Sequence, residues 1–167
     1  MRADAVTRDQ LISKTPTLDT GNAYANGDVM AITAELCDIP LNAIANVNSV
    51  FITNKDKTAT RSMEIWILRS NTSLGALNAA ENLADGSMDE VLTIIPIAAD
   101  DYEDAANWSY VSKNLSDTGV AFGLKPTAAS AGKLYYALKY ADATGDAYSD
   151  GDIHIHFWIG CNLVSKP

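Results

Sequence analysis

Residues able to bind metals are scarce in this chain. His154 and His156 are its only histidines and Cys37 and Cys161 its only cysteines, among 167 residues. Zinc sites normally take three or more protein ligands, mostly histidine or cysteine, so a metal centre here would have to be completed by carboxylates. Basic residues are in deficit, 12 against 21 acidic, for a formal charge of −9. Such a surface repels phosphates and argues against a nucleic-acid partner, while it suits a protein kept soluble at high concentration. No apolar run approaches the length needed to cross a membrane. The N-terminal stretch "MRADAVTRDQLISK" has none of the apolar character of a signal peptide, so reduced thiols are the expectation for the two cysteines. Sequence does not exclude that they pair. Nucleophile and phosphate motifs are missing too: there is no Gly-x-Ser-x-Gly, and "GLKPTAASAGK" (123–133) has the lysine and glycines of a phosphate loop in the wrong order.

What is present is ordinary globular composition, 47% hydrophobic and 20% charged, at a length that suits one domain with a sizeable core. Two-residue alternation dominates, the mark of strands. In "DVMAITAEL" (28–36), Met30, Ile32, Ala34 and Leu36 share one side. A β-branched run follows at 47–54, closed by the charged turn "KDKT". In "RSMEIWILR" (61–69) apolar residues fall on both faces, which places that strand centrally in a sheet. The middle is more ambiguous. "ALNAAENLA" (76–84) sets Leu77, Ala80 and Leu83 at helical spacing, and "SMDE" (87–90) resembles a capping box. "LTIIPI" reads equally as a strand with an edge proline. "AADDYEDAAN" reads as loop, and "WSYVSKNL" and "GVAFGLKP" as short extended segments.

The C-terminal third has the strongest pattern. Leu134, Tyr136, Leu138 and Tyr140 alternate in "KLYYALKYA" (133–141), and Ile153, Ile155, Phe157 and Ile159 in "DIHIHFWIG" (152–160). The turn-rich linker between them suggests an antiparallel pair. Seven to nine strands with little helix predict an all-β fold: an antiparallel β-sandwich, jelly roll or barrel with at most short helical turns. Residues 1–18 precede the first clear strand and read as an extended N-terminal arm, leaving 19–167 as a single β-sandwich domain.

Several groups could carry chemistry. His154 and His156, two apart on a strand, present both imidazoles on one face, about 6 to 7 Å apart. With Asp152, and Glu64 or a cysteine to complete the set, they are the metal candidates. The competing reading is that Ile153, Ile155, Phe157 and Ile159 fill the core while the histidines occupy the wetter face. "DAYSDGDI" (146–153) echoes part of a calcium loop, but Tyr148 stands where an oxygen ligand belongs, and Phe157 where the closing glutamate belongs. An Asp-Gly turn explains those residues. Asp100, Asp101, Glu103 and Asp104 could supply a carboxylate pair for glycoside chemistry, against the reading of a solvated loop. Trp66, Trp108 and Trp158 could form a sugar-stacking platform or serve as core and interface anchors.

A longer pattern carries a resemblance. "DTGNAYANGDVM" (19–30), "VNSVFITNKDKTATRSMEIWILRS" (47–70), "GVAFGLKP" (119–126) and "KLYYALKYADATGDAYSDGDIHIHFWIG" (133–160) together resemble a family of small virion proteins of tailed bacteriophages. Asp19, Thr20, Ala23, Tyr24, Gly27 and Asp28 match its opening segment; Tyr148, Gly151 and Asp152 match its closing one. The resemblance implies a β-sandwich or jelly-roll subunit made in the host cytoplasm and carried on the outside of the virion. Its role would be capsid decoration (cement) or a head-fibre component, as a homotrimer bound to the major capsid protein. It implies no catalytic residue, no cofactor and neither nucleic-acid nor membrane partner. Residues 1–18 are expected to contact the shell or an adjacent subunit. Two rival readings remain: a carbohydrate-binding or adhesin-type sandwich using exposed tryptophan and tyrosine, and a small jelly-roll metalloenzyme using His154 and His156.

Overall fold

The structure is a computed structural model and describes residues 7–39, 43–56, 60–115, 121–122 and 132–163. The chain is all-β and forms two antiparallel sheets. Its strands are β1 (Thr7–Lys14), β2 (Val29–Ile39), β3 (Ala43–Asn54), β4 (Met63–Leu68), β5 (Val91–Ile97), β6 (Glu103–Asp104), β7 (Ser109–Asn114), β8 (Ala121–Phe122), β9 (Gly132–Tyr140) and β10 (Ile153–Leu163). One sheet runs β1-β10-β3-β7-β6, with β8 also paired to β3; the other runs β2-β9-β4-β5. We call these the large and small sheets. The inward residues of both make one core, in which Val50, Ile52, Ile155 and Phe157 of the large sheet oppose Leu36, Ile65, Tyr136 and Leu138 of the small one. Burial of this apolar surface is the main force holding the sheets together.

Three expectations are corrected. Strands β9 and β10 do not pair with each other: β9 pairs with β2 and β4, and β10 with β1 and β3. Their inward faces bury each other across the sandwich rather than side by side, so the linker 141–152 crosses from sheet to sheet. The helical spacing at 76–84 yields a turn at Leu77–Asn78 and a bridge at Ala80, not a helix. Leu83 is used to cover a sheet instead. Residues 7–14, before the first strand expected from sequence, form the edge strand β1. They pair with β10 from Thr7↔Asn162 to Lys14↔Ile155.

Two other readings hold. Strand β4 lies between β9 and β5, and its apolar residues are buried on both faces. "LTIIPI" is strand, and Pro96 sits exposed on the edge strand β5, where a missing N–H costs least. No capping box forms at 87–90: those residues lie inside a short 3-10 helix, Asp85–Glu90, whose N-cap is Ala84 with no side-chain cap bond, and it leads directly into the strand β5. The alternation in β2 is interrupted: register slips against β9 between Ala31 and Ala34 leave Ile32 exposed while Met30 and Leu36 are buried. Much of "GVAFGLKP" and all of "KDKT" beyond Asp56 lie outside the described residues.

The two sheets are finished differently on their outer faces. The long connection from β4 to β5 folds back over the small sheet. There Leu74 and Leu83 pack on Val29, Trp66, Leu68 and Ala137, a second apolar cluster. It is tied to the edge of β2 by Val29 N–H donating to Ala79 O, Asn78 N–H to Val29 O and Glu81 N–H to Gly27 O, each at 2.9 Å. Among the described residues, the large sheet has no such cover.

Candidate functional site

The uncovered outer face of the large sheet is built by strand register. Residues opposite one another on antiparallel strands project to the same side. One row runs Leu11, Trp158, Ser49, Asn114; the next runs Ser13, His156, Phe51, Ser112; a third runs His154, Thr53, Tyr110. Their neighbours along the strands, Ile155, Phe157, Val50, Ile52 and Val111, point inward and are buried. The alternation read from the sequence for β10 therefore holds in space: isoleucine and phenylalanine in, histidine and tryptophan out.

Aromatic rings cross this face in a chain of tilted contacts. Trp108 lies 5.5 Å from Tyr110, Tyr110 lies 5.8 Å from Phe51, and Phe51 lies 6.0 Å from the His156 ring. Leu11, Trp158 and Trp108 are 59%, 45% and 38% exposed, unusual values for such large apolar groups. One charged residue stands in the three rows: Glu103 of β6, opposite Tyr110 at the end of the third, accepts a 2.6 Å hydrogen bond from the Tyr110 hydroxyl. Asp9 stands opposite Gly160 in the next row.

The histidines are held from the side. Ser13 Oγ lies 2.7 Å from His156 Nδ1, and Thr15 Oγ1 lies 2.9 Å from His154 Nδ1. Each imidazole is thereby fixed through one nitrogen by a β1-side hydroxyl. Asp152 is turned elsewhere: its carboxylate accepts from Ser149 N at 2.6 Å and closes the Ser149–Asp152 turn. Glu64 lies on the other sheet, bonded to Trp66 Nε1 and to Lys139. Among the described residues, no three His, Cys, Asp or Glu side chains come together as a metal-binding group. Cys37 and Cys161 are both buried and both free.

The acidic run is used in local bonds. Asp101 accepts from Ala98 N and pairs with Lys113 at 2.6 Å. Burial opposes ionisation of Asp101, but Lys113 and the Ala98 N–H outweigh it and hold its carboxyl below the ordinary aspartate range. Trp66 is buried in the small sheet with the Lys139 ammonium 5.1 Å from its ring centre, so it does not share a platform with Trp108 and Trp158.

The two motif segments of the resemblance, far apart in sequence, meet in one tyrosine-centred knot beside the core. Tyr24 N–H donates to Asp146 O, and the Tyr24 ring lies 6.0 Å from Tyr140 and 6.2 Å from Tyr148. The Tyr24 hydroxyl accepts from Asp19 N at 2.6 Å and donates to Met30 O. Leu18 N–H donates to Asp150, and Gly27 N–H to Tyr140 O. Gly151, with φ +80, makes the turn before β10. Burial pushes the Tyr24 and Tyr140 hydroxyls up to about 12. These residues are architectural, and pattern alone did not show that the segments would touch.

Comparison with known proteins finds no family model that matches the chain and no curated protein that matches its sequence.

Proposed function

We propose that this protein is a non-enzymatic structural protein of a tailed-phage virion, a jelly-roll-like subunit that decorates the outer surface of the head shell and stabilises it. The observation that carries this reading is the contrast between the two outer faces. The chain buries the outside of its small sheet with its own connection and leaves the outside of its large sheet open and aromatic, with carboxylates only towards its ends. A protein that works by being held against other subunits needs such a surface. The motif segments that resemble phage virion proteins add support, because they form a single packed unit rather than scattered matches.

Mechanically, internal pressure drives shell subunits apart, and a rigid sandwich seated across their junctions resists through several contacts at once. The N-terminal residues join in through β1, whose outer edge has no paired strand among the described residues and can add to a neighbouring surface. The test is to add the purified chain to heads assembled without it. Co-sedimentation with the heads and a raised temperature of head disruption are expected; no binding to heads at micromolar protein would refute the reading.

A second reading rests on the same exposed rings. Trp108, Tyr110 and Trp158 could stack on sugar rings, making the protein a virion-borne adhesin. A glycan array that lights up through these residues, with no binding to heads, would favour it.

A further inference from the structure

We infer that the open seam between β5 and β7 is a docking groove for an extended peptide segment of another protein, apolar at its centre and basic at its ends. β5 is an edge strand of the small sheet. Beyond the two-residue β6, the outer edge of β7 from Val111 to Lys113 has no strand paired to it among the described residues. Between the two strands lies a groove of about 460 Å³, lined by the buried Ile95 and Leu115 and by Thr93 and Ser112. Lys113 of β7 reaches across it: its ammonium donates to Pro96 O of β5 at 2.7 Å and pairs with Asp101 at 2.6 Å.

Backbone geometry makes the occupant a strand. The Lys113 bond shows that Pro96 turns its carbonyl away from β4, and by the alternation of an antiparallel ladder Ile94 turns both its N–H and its C=O the same way. Such an edge binds extended chains through main-chain hydrogen bonds. Packed sheets lie about 10 Å apart and paired strands about 4.8 Å apart, so the seam is two strand spacings wide and takes one extended backbone. A peptide residue opposite Ile94 shares its face and covers a side chain that is 41% exposed. Met88, in the 3-10 helix just before β5, is exposed as well and lengthens the apolar edge.

The ends of the groove set the charge of the peptide. Asp85, Asp89 and Glu90 precede β5, with Arg69 beside them through its N–H to Glu90 O. Asp100 and Asp101 follow β5 in the 3-10 turn Ala99–Asp101, and Glu103 comes next; Lys113 offsets Asp101. Both ends are therefore acidic in balance, which favours lysine or arginine at each end of the peptide. The same charges disfavour a second copy of this chain. Antiparallel pairing of β5 with itself would set the acidic start of one strand against the acidic end of the other. The groove is separate from the outer face of the large sheet, so peptide binding here neither needs nor tests the contact with heads.

The probe is a fluorescein-labelled peptide with a Val-Ile-Val-Thr centre flanked by lysines, titrated with the full chain and followed by anisotropy. Amide chemical shifts of the protein map the contact. Saturable binding with a Kd of about 10 to 500 μM is expected, with shifts confined to residues 92–96 and 111–115. Glutamates in place of the lysines should weaken binding by at least about ten-fold, and N-methylation of alternate central residues should abolish it. Ile94→Pro removes the outward N–H while leaving the bonds to β4, and should weaken binding by at least about ten-fold. Asp89→Lys combined with Asp100→Lys, both at exposed sites, should reverse the preference between the lysine and glutamate peptides. Circular dichroism and melting establish that each variant is folded; the methylated peptide puts the same question to the parent chain. No binding at about 1 mM peptide, equal affinity for the two peptides, or shifts that fall on the outer face of the large sheet would overturn the inference. So would pairing of chains through β5 that shuts the peptide out.

Discussion

Tyr136 of β9 and Phe157 of β10 meet ring to ring across the sandwich, their centroids 5.6 Å apart and their planes tilted by 59°. The strands that carry them are consecutive in sequence yet belong to different sheets. The contact therefore joins the two layers at the centre of the core. Phe157 is fully buried. Phe157→Ala removes its packing and leaves a cavity that rigid strands cannot close, and should cost about 3 to 5 kcal/mol in chemical denaturation. Phe157→Leu should cost less, since much of the volume is kept. A loss under about 1 kcal/mol for the alanine variant would mean that the sheets are not packed through this pair.

Alkali should unfold the protein over a defined interval. Burial raises the hydroxyls of Tyr24, Tyr136 and Tyr140 to about 12, and the Cys37 thiol to about 12. These groups stay protonated in the folded chain at pH values where the unfolded chain has released its protons, near 9 for the thiol and 10 for the phenols. Their contribution is whole below those values and is lost as pH climbs toward 12, because the unfolded state then binds fewer protons. Far-ultraviolet circular dichroism from pH 8 to 12 should show stability falling steeply above about pH 10. Tyrosinate absorbance of the buried rings should rise together with unfolding. Full ionisation of all seven tyrosines near pH 10 with the fold intact would contradict this.

The acid limb has the opposite sign. Asp142 accepts backbone hydrogen bonds from Thr144 and Ser62, and these hold its carboxyl below the ordinary aspartate range. The Asn78 side chain, with the Gly21 N–H, does the same for Asp19. A carboxylate depressed in the folded state contributes above its unfolded value, near 3.9, and loses that contribution as pH falls further. Acid denaturation should therefore steepen below about pH 4. Asp142→Asn should flatten that limb, measured as the slope of stability against pH between 2 and 4. An unchanged slope would show that Asp142 has no part in it.

The connection over the small sheet depends on one glycine. Gly75 has φ +140, and a Cβ there would come 3.1 Å from Asn82 Oδ1, 3.3 Å from Ala80 O and 3.4 Å from a Val29 methyl. Gly75→Ala is strained in backbone and crowded in space, a cost on the order of 1 to 3 kcal/mol. Its effect should be local: faster amide exchange and proteolysis in 69–90, which packs Leu74 and Leu83 onto Trp66. Protection equal to the parent's in that segment would count against the role given to Gly75.

The parts of the fold that could be read from the sequence were those set by local alternation. The inward Ile-Ile-Phe-Ile side of β10, the doubly buried β4 and the edge proline of β5 all follow from side-chain period and backbone chemistry. What could not be read was set by partners distant in the chain. Whether β9 pairs with β10 or faces it depends on which surface each buries, and both arrangements satisfy the same pattern. β1 is not legible because an edge strand with one half-buried face needs few apolar residues; among its described side chains, Ile12 packs against the core. The histidines and Trp158 were assigned to the outer face, but the aromatic run from Trp108 to His156 joins three strands that no local pattern relates.

The most direct measurement is a cryo-electron density map of the intact particle at a resolution that resolves side chains. The account predicts two-sheet subunits on the outer head lattice, with Trp158 and Leu11 buried against protein. Particles that lack this chain, or subunits on which that face meets only solvent, would contradict it.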